Sequence, residues 1–361
     1  MAEHLPLSEP GTHPRVVRTC LVILAVVAAG AALYWLRDIL TPLALAIFLL
    51  IMIDGLARGI SGRTRLSERA SGALAILLVL LGFAGSVWII VEGAVGFIAD
   101  AADAVSRLDV IIADVARMIG LQVAPTLQEL IGDLDVRSHA TRLALQVQDV
   151  ATGAFLVLVY LGFLLASQLG FRKKLVSMFP DRARRHEAAE IFDRVRAGVQ
   201  GYLWVQAVTG LMICAVAYGL MLIVGLDNAL FLTFVLFVVG FIPLIGGVVA
   251  GLAPPLFALV QFDTYWQALV LLIGLQAVIQ PVGNYVQPRM QGDNQNLDPV
   301  TVLLALAFWG KLWGVIGMFL STPLAVMAMA ILAEFRGSRW IAVLMSGDGE
   351  PYAKPRTPPE P

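Results

Sequence analysis

Hydrophobic residues in this chain come in long unbroken blocks, without the alternation of a half-buried strand or the narrow stripe of a surface helix. Blocks at about Val16 to Leu36, Ile39 to Leu56, Ala73 to Ile90, Ala151 to Ser167, Leu203 to Val224 and Tyr265 to Tyr285 match the length that carries a helix across a hydrocarbon core of roughly 30 Å. Two further blocks behave differently. Residues 228–260 and 299–334 hold 33 and 36 residues, and as straight helices they would be about 50 Å long, too long for one crossing and too short for two. Each contains helix breakers: Pro243, Gly246 and Gly247 within GFIPLIGGVVAGLAPPLFALV, and Gly310, Gly314 and Gly317 in the second. The pattern predicts an all-α polytopic integral membrane protein with about eight membrane segments, two of them broken or re-entrant.

The polar intervals supply the topology. From Asp100 to Asp149 there are eight acidic side chains against four arginines. Leu108, Ile111, Ile112, Val115, Met118 and Ile119 recur there at helical spacing, which predicts a small helical extracytoplasmic subdomain. Arg58, Arg63, Arg65 and Arg69 follow the second block, and FRKKLVSMFPDRARRHEAAEIFDRVR holds eight Lys or Arg against four acids. The positive-inside rule places both basic loops and both termini in the cytoplasm. The predicted organisation is a cytoplasmic tail at 1–15, spans 1 to 3 within 16–98, the subdomain at 99–149, a fourth span at 150–168, a basic cytoplasmic helical loop at 169–200, a C-terminal transport core at 201–334, and a cytoplasmic tail at 335–361.

Composition excludes several function classes. With 59% hydrophobic and 14% charged residues and a mean hydropathy of +0.82, this is a multi-pass membrane protein. Cys20 and Cys214 lie in apolar runs and form no metal-binding spacing. The four histidines all lie outside the spans, and there is neither an HExxH nor a Walker sequence, so no enzymatic activity, metal or cofactor is expected. The basic loops lack interleaved aromatics, which argues against nucleic acid as a partner.

The breakers carry the candidate chemistry. Paired broken segments are a footprint of transporters whose half-helices end near the membrane midplane and offer free backbone groups to a solute, and such irregular backbone is tolerated only where protein or a water-filled cavity surrounds it. Pro243, Gly246, Gly247, Gly314 and Gly317 are therefore candidate pathway residues. Between the segments, Gln276, Gln280, Asn284 and Gln287 follow at spacings of four, four and three, and read as one polar face of an apolar helix. Such amides serve either as glue between helices or as a hydrophilic wall for a solute. Asp54, near the end of its block, reads as an ion-pair partner of Arg58 at i+4 or as an ion-coupling carboxylate. Lys311, between Trp309 and Trp313, reads as an interfacial lysine or as a solute contact at a hairpin tip.

The C-terminal third resembles the autoinducer-2 exporter family. The matching stretches are GYLWVQ at Gly201, GFIPLIGGVVAGLAP at Gly240, IQPVGNYVQPRMQG at Ile279 and LDPVTVLLALAFWGKLWGVIGMFLSTPLA at Leu297, with FPDRARRHEAAEIFDRVRAGVQGYL before them. The resemblance covers about Val16 to Glu334. It implies a secondary transporter or facilitator in the inner membrane that exports a small polar organic solute, an autoinducer-2-like signal or a metabolite. It also implies a homo-oligomer, pentameric in the family. The alternatives are a sodium (cation)/proton antiporter and a non-transporting scaffold that binds envelope partners through 99–149. Gly240, Val282 and Asp298 depart from the residues frequent in the family. The acid missing at Val282 turns the expectation toward an uncharged solute and away from cation exchange.

Overall fold

Inside a bilayer a chain satisfies its own backbone only as a helix or a closed barrel, and every apolar block of this protein is helical. The computed structural model describes residues 14–118, 150–167, 182–291, 296–335 and 337–351. Helices α1 (Pro14–Trp35) and α2 (Arg37–Arg63) meet at Leu36. Helix α3 (Glu68–Met118) runs past the expected end of its span at Ile90. No proline stands between Glu68 and Met118, so the amphipathic stretch simply prolongs the span. The rest of the expected subdomain, residues 119–149, lies outside the described residues, as do 169–181 of the basic loop. Helix α4 covers Val150–Ser167. Helix α5 (Arg182–Val224) likewise fuses the end of the basic loop to the fifth span across 43 proline-free residues.

The first broken block forms α6 (Ala229–Gly240) and α7 (Ile245–Gln261). It is followed by α8 (Trp266–Pro281), a π-helical turn over Val282–Val286, and α9 (Gln287–Gln291). The second broken block is α10 (Pro299–Glu334), interrupted at Gly314, whose φ of 63° and ψ of −143° are not helical. A short α11 (Arg339–Met345) ends the described chain. By length and composition, seven helices among the described residues can cross a membrane, with α10 counted once and α6 and α7 too short to be included.

Both broken blocks double back. The Gln261 amide at the end of α7 donates to Gly225 O at 3.0 Å and accepts from Asp227 N at 2.8 Å, so the two ends of the block are clasped together. A straight helix of that length would hold them about 50 Å apart. Left-handed backbone at Gly225 and Asn228 makes the turn from α5 into α6. The feet of α10 are also joined: Asp298 N donates to Met345 O at 2.9 Å and Gly347 N to Asn296 O at 3.2 Å. Leu297 and Met345 pack with Ala342 against Met329 and Ala333 of the returning arm.

Three buried clusters position these parts. One joins Cys214 to Val224 of α5 with α6, α7 and α8, with Met221, Leu271 and Leu275 fully buried. A second sets Phe48 of α2 and Val199, Tyr202 and Leu203 of α5 against Phe241 and Leu320. The third joins α2, α3 and α4 around Ala46, Ala75 and Leu161. Asp298 caps α10, accepting from Val300 N at 2.8 Å, with Pro299 at the first helical position.

Because the ends of each broken block are clasped, Asp227→Cys and Asp263→Cys should react with an impermeant thiol reagent from one side of the membrane, and Arg289→Cys and Arg339→Cys from the other. Labelling of Asp227→Cys and Asp263→Cys from opposite sides would mean that 228–260 crosses as one tilted helix.

Candidate functional site

The candidate site is built around the first break, residues Phe241 to Leu244. Ile245 N donates to Pro243 O at 2.7 Å across Leu244, which stands at φ 65° and ψ −49°. This is a γ-turn of the positive-φ hand, rare for a residue with a side chain and strained, at a cost of roughly 1–3 kcal/mol. The break leaves carbonyls at the end of α6 without helical donors, and α5 supplies them. The Tyr202 hydroxyl donates to Phe241 O at 2.9 Å, and the Gln206 amide nitrogen donates to Gly240 O. Four residues apart, Tyr202 and Gln206 lie on one helical face, so a single helix caps the whole tip.

Glycine brings the two arms into backbone contact. A Cβ at Gly246 would lie 2.7 Å from Val239 O and 2.8 Å from Gly240 Cα, whereas one at Gly247 would meet nothing within 4 Å. Gly247 instead faces a cavity of about 110 Å³ lined by α5, both arms and the π-helical turn. Its wall includes Gln206, Thr209, Gly240, Gly247, Gly283 and Gln287, and none of its lining residues is charged. Gln287 Nε2 donates to Gln206 Oε1 at 3.2 Å, so an amide relay runs from Gln287 through Gln206 to the carbonyl at the break.

The expected single polar face is split in two. Asn284 Nδ2 donates to Gln280 Oε1 at 2.9 Å and Gln280 Nε2 to Gln276 Oε1 at 3.3 Å, making an exposed ladder. Gln276 leans on α7, its Nε2 standing 2.7 Å from where a Cβ at Gly251 would be. The π-helical turn after Pro281 is wider than an α-helical one, so it changes the phase of the helix and points Gln287 at α5. Gln287 belongs to the cavity, and the other three amides do not line it.

The second break repeats the device. A Cβ at Gly317 would collide with Trp309 O, and one at Gly310 would lie 2.9 Å from Met318 Cγ, so the arms touch here as well. Trp313 Nε1 donates to Leu33 O at 3.2 Å, tying this tip to α1. Lys311 is exposed on the first arm, and Gly314 is the kink itself. Neither lines the cavity.

Asp54 has a partner other than the one its sequence neighbourhood points to. Arg196 Nη2 on α5 meets Asp54 Oδ2 at 2.6 Å, while Arg58 gives its Nη2 to Gln200 Oε1 and its Nε to the Asp54 carbonyl oxygen. Rotation about the α2 helix favours i+4 pairs, but the packing of α5 on α2 brings a better-placed guanidinium from 142 residues away. Sequence reasoning missed Tyr202, Gln206 and Thr209. The spacing of four between Tyr202 and Gln206 was the available signal, yet only the fold shows what that face meets.

The sequence profile of the AI-2E family transporters matches residues 21–337. A Haemophilus influenzae protein provisionally assigned to transport is 26% identical over 344 residues, covering 93% of this chain and 97% of that one. The AI-2 transport protein TqsA of Escherichia coli is 30% identical over 206 residues, covering 57% of this chain and 59% of that protein. YhhT of the same species, also provisionally assigned to transport, is 27% identical over 161 residues, covering 45% of this chain and 46% of that protein.

The glycines at the two breaks should separate by mutation. Gly246→Ala and Gly317→Ala force a methyl into backbone and should each lower stability by about 1–3 kcal/mol or more, whereas Gly247→Ala should leave melting unchanged or raise it slightly. Thermal unfolding in detergent followed by size-exclusion chromatography measures all three. Equal melting of the three variants would show that the arms are not in contact.

Proposed function

This chain belongs to the AI-2E transporter family, and from that premise we propose that it moves a small, polar, uncharged organic solute across the cell membrane. The observation that carries the reading is the cavity at the first break, where two glutamine amides, a threonine hydroxyl and glycine backbone converge without any charged lining residue. Groups of this kind recognise hydroxyl and carbonyl oxygens through hydrogen bonds. They offer no counter-charge to an ion and no titrating carboxylate for proton exchange. The relative named for AI-2 transport makes the AI-2 signal the first solute to test.

In this proposal α6 with α7 forms a hairpin that enters and leaves on the extracytoplasmic side, and α10 forms one that enters and leaves on the cytoplasmic side. The two halves are then inverted relative to each other, as in transporters with discontinuous helices, and the basic loops keep both termini in the cytoplasm. Gln276, Gln280 and Asn284 extend the polar path along α8 and the π-helical turn, because exposed amides on a spanning helix are stable only against water, solute or protein. The extensively exposed apolar surface of α1 is suited to lipid or to a neighbouring copy in a homo-oligomer, pentameric by family resemblance.

Proteoliposomes holding the purified protein should take up or release AI-2 in exchange with buffer, with or without imposed sodium and proton gradients. Gln206→Leu and Gln287→Leu should each reduce flux about tenfold, the effect of losing roughly 1.4 kcal/mol of hydrogen bonding to the solute. Gln280→Leu should reduce it less. Flux that is unchanged in the Gln206 and Gln287 variants at equal insertion would remove the cavity from the path.

A further inference from the structure

The cavity lies between two packed layers along α5, and the two differ in construction. Along α5 the order is Arg194 and Arg196 at one end, then Val199, Tyr202 and Leu203, then the cavity wall from Gln206 to Cys214, then Ala217 to Val224. Beyond Cys214 the seal is a deep apolar core in which Ala217, Met221, Leu271 and Leu275 are all fully buried and α5 to α8 interlock. Toward the arginines the packing is the cluster of Val199, Tyr202, Leu203 and Leu320, and an aromatic layer runs through it. Its rings come from three separate elements: Phe48 of α2, Phe241 of the first tip and Phe319 of the returning arm of α10. Phe319 stacks at 5.0 Å on Phe241 and edge-on at 5.4 Å on Phe48, centroid to centroid.

Two polar contacts hold this layer. The Tyr202 hydroxyl fixes the Phe241 carbonyl, and so the tip that carries the ring. One layer further out, the 2.6 Å pair between Asp54 and Arg196 ties α2 to α5, and Gln200 Nε2 reinforces it by donating to Ile51 O at 2.9 Å. The three rings come from three separate elements, so movement of any one of them changes the layer, whereas in the other core α5 and α8 pack side by side through Met221, Leu271 and Leu275.

We propose that Phe48, Phe241 and Phe319 form a gate, latched by Tyr202 and by the Asp54–Arg196 ion pair, that closes the cavity toward the arginine-bearing end of α5. The proposal rests on reading the cavity as part of the solute path. It assigns the aromatic rings a gating role and Asp54 a latching one, so Asp54 acts through α2 and α5 and not through an ion.

Cys214 lines the cavity and Cys20 is exposed, so a Cys20→Ser background leaves one reporter thiol at the cavity wall among the two cysteines of the chain. An impermeant maleimide should modify Cys214 slowly from either side in vesicles of known orientation. Phe319→Ala and Asp54→Asn should each speed modification about tenfold, equivalent to a shift of roughly 1.4 kcal/mol toward the open state, and only from the side bearing Arg194 and Arg196. Phe319→Leu, which keeps most of the bulk, should return the rate toward that of the parent. A rate unchanged in both variants, or raised equally from both sides as general loosening would do, overturns the gate. AI-2 flux by the parent protein tests the transport reading separately: flux with no side-specific labelling change sinks the gate alone, and absence of flux sinks the transport reading while the labelling still reports on the seal.

Discussion

The hydrogen bonds from Tyr202 and Gln206 to the carbonyls of Phe241 and Gly240 are the contacts on which the site depends. A helix broken within an apolar segment exposes acceptors that lipid cannot satisfy, and each one left bare costs on the order of 1–3 kcal/mol or more. By meeting two of them from one face of α5, the protein makes the break affordable and also fixes where the tip sits. The cavity follows from that placement. Its walls are the capping helix, the two arms and the π-helical turn.

Close approach is the second condition. Gly246 and Gly317 each press one arm onto the backbone of the other, at the places where any side chain would hold the arms apart. The feet are held by polar clasps of different origin. Gln261 bridges the feet of the first hairpin from within it, whereas the feet of α10 are held by Asn296, Asp298 and the segment after α11. At the latter, the Asn296 side chain donates to the Asp348 carboxylate, and that contact together with the Glu350 backbone N–H holds the Asp348 pKa below the usual carboxylate range. A depressed carboxylate strengthens this clasp above its ordinary pKa and weakens it as acid protonates the group. Asp348 is solvent-exposed, so water and salt screen the effect.

Of the two non-glycine residues with positive φ among the described residues, one stands at the first tip. Leu244 holds a positive φ at the first tip, and the tip's ring, Phe241, belongs to the thin seal of the cavity. The opposite seal carries the weak Cys214 Sγ to Thr233 O approach at 3.5 Å, and the Gln261 clasp to Gly225 and Asp227 closes its outer edge. The proposed gate lies toward the arginine-bearing end, where α2, the first tip and α10 each contribute one ring.

Block length and composition determined the class of this protein without any structure. Unbroken apolar runs of about 20 residues are too long for a barrel strand and satisfy their backbones in lipid only as helices, so the sequence alone dictates an all-helical membrane protein, and runs of 33 and 36 residues with internal Gly and Pro mark two segments that either break or cross as long tilted helices. The breakers themselves were legible in the composition: proline lacks the donor, and glycine alone accepts the combination of φ and ψ found at Gly314. Which side chains meet at the breaks was decided by tertiary structure. The partners of Gly240 and Phe241 lie 34 and 39 residues away, that of Asp54 lies 142 away, and the single phase change in the π-helical turn moves Gln287 off the face shared by Gln276, Gln280 and Asn284. Periodicity predicts how residues are arranged on one helix. It carries no information on the rotation and depth at which another helix packs against it, and those two quantities placed Tyr202 and Gln206 beneath the broken tip.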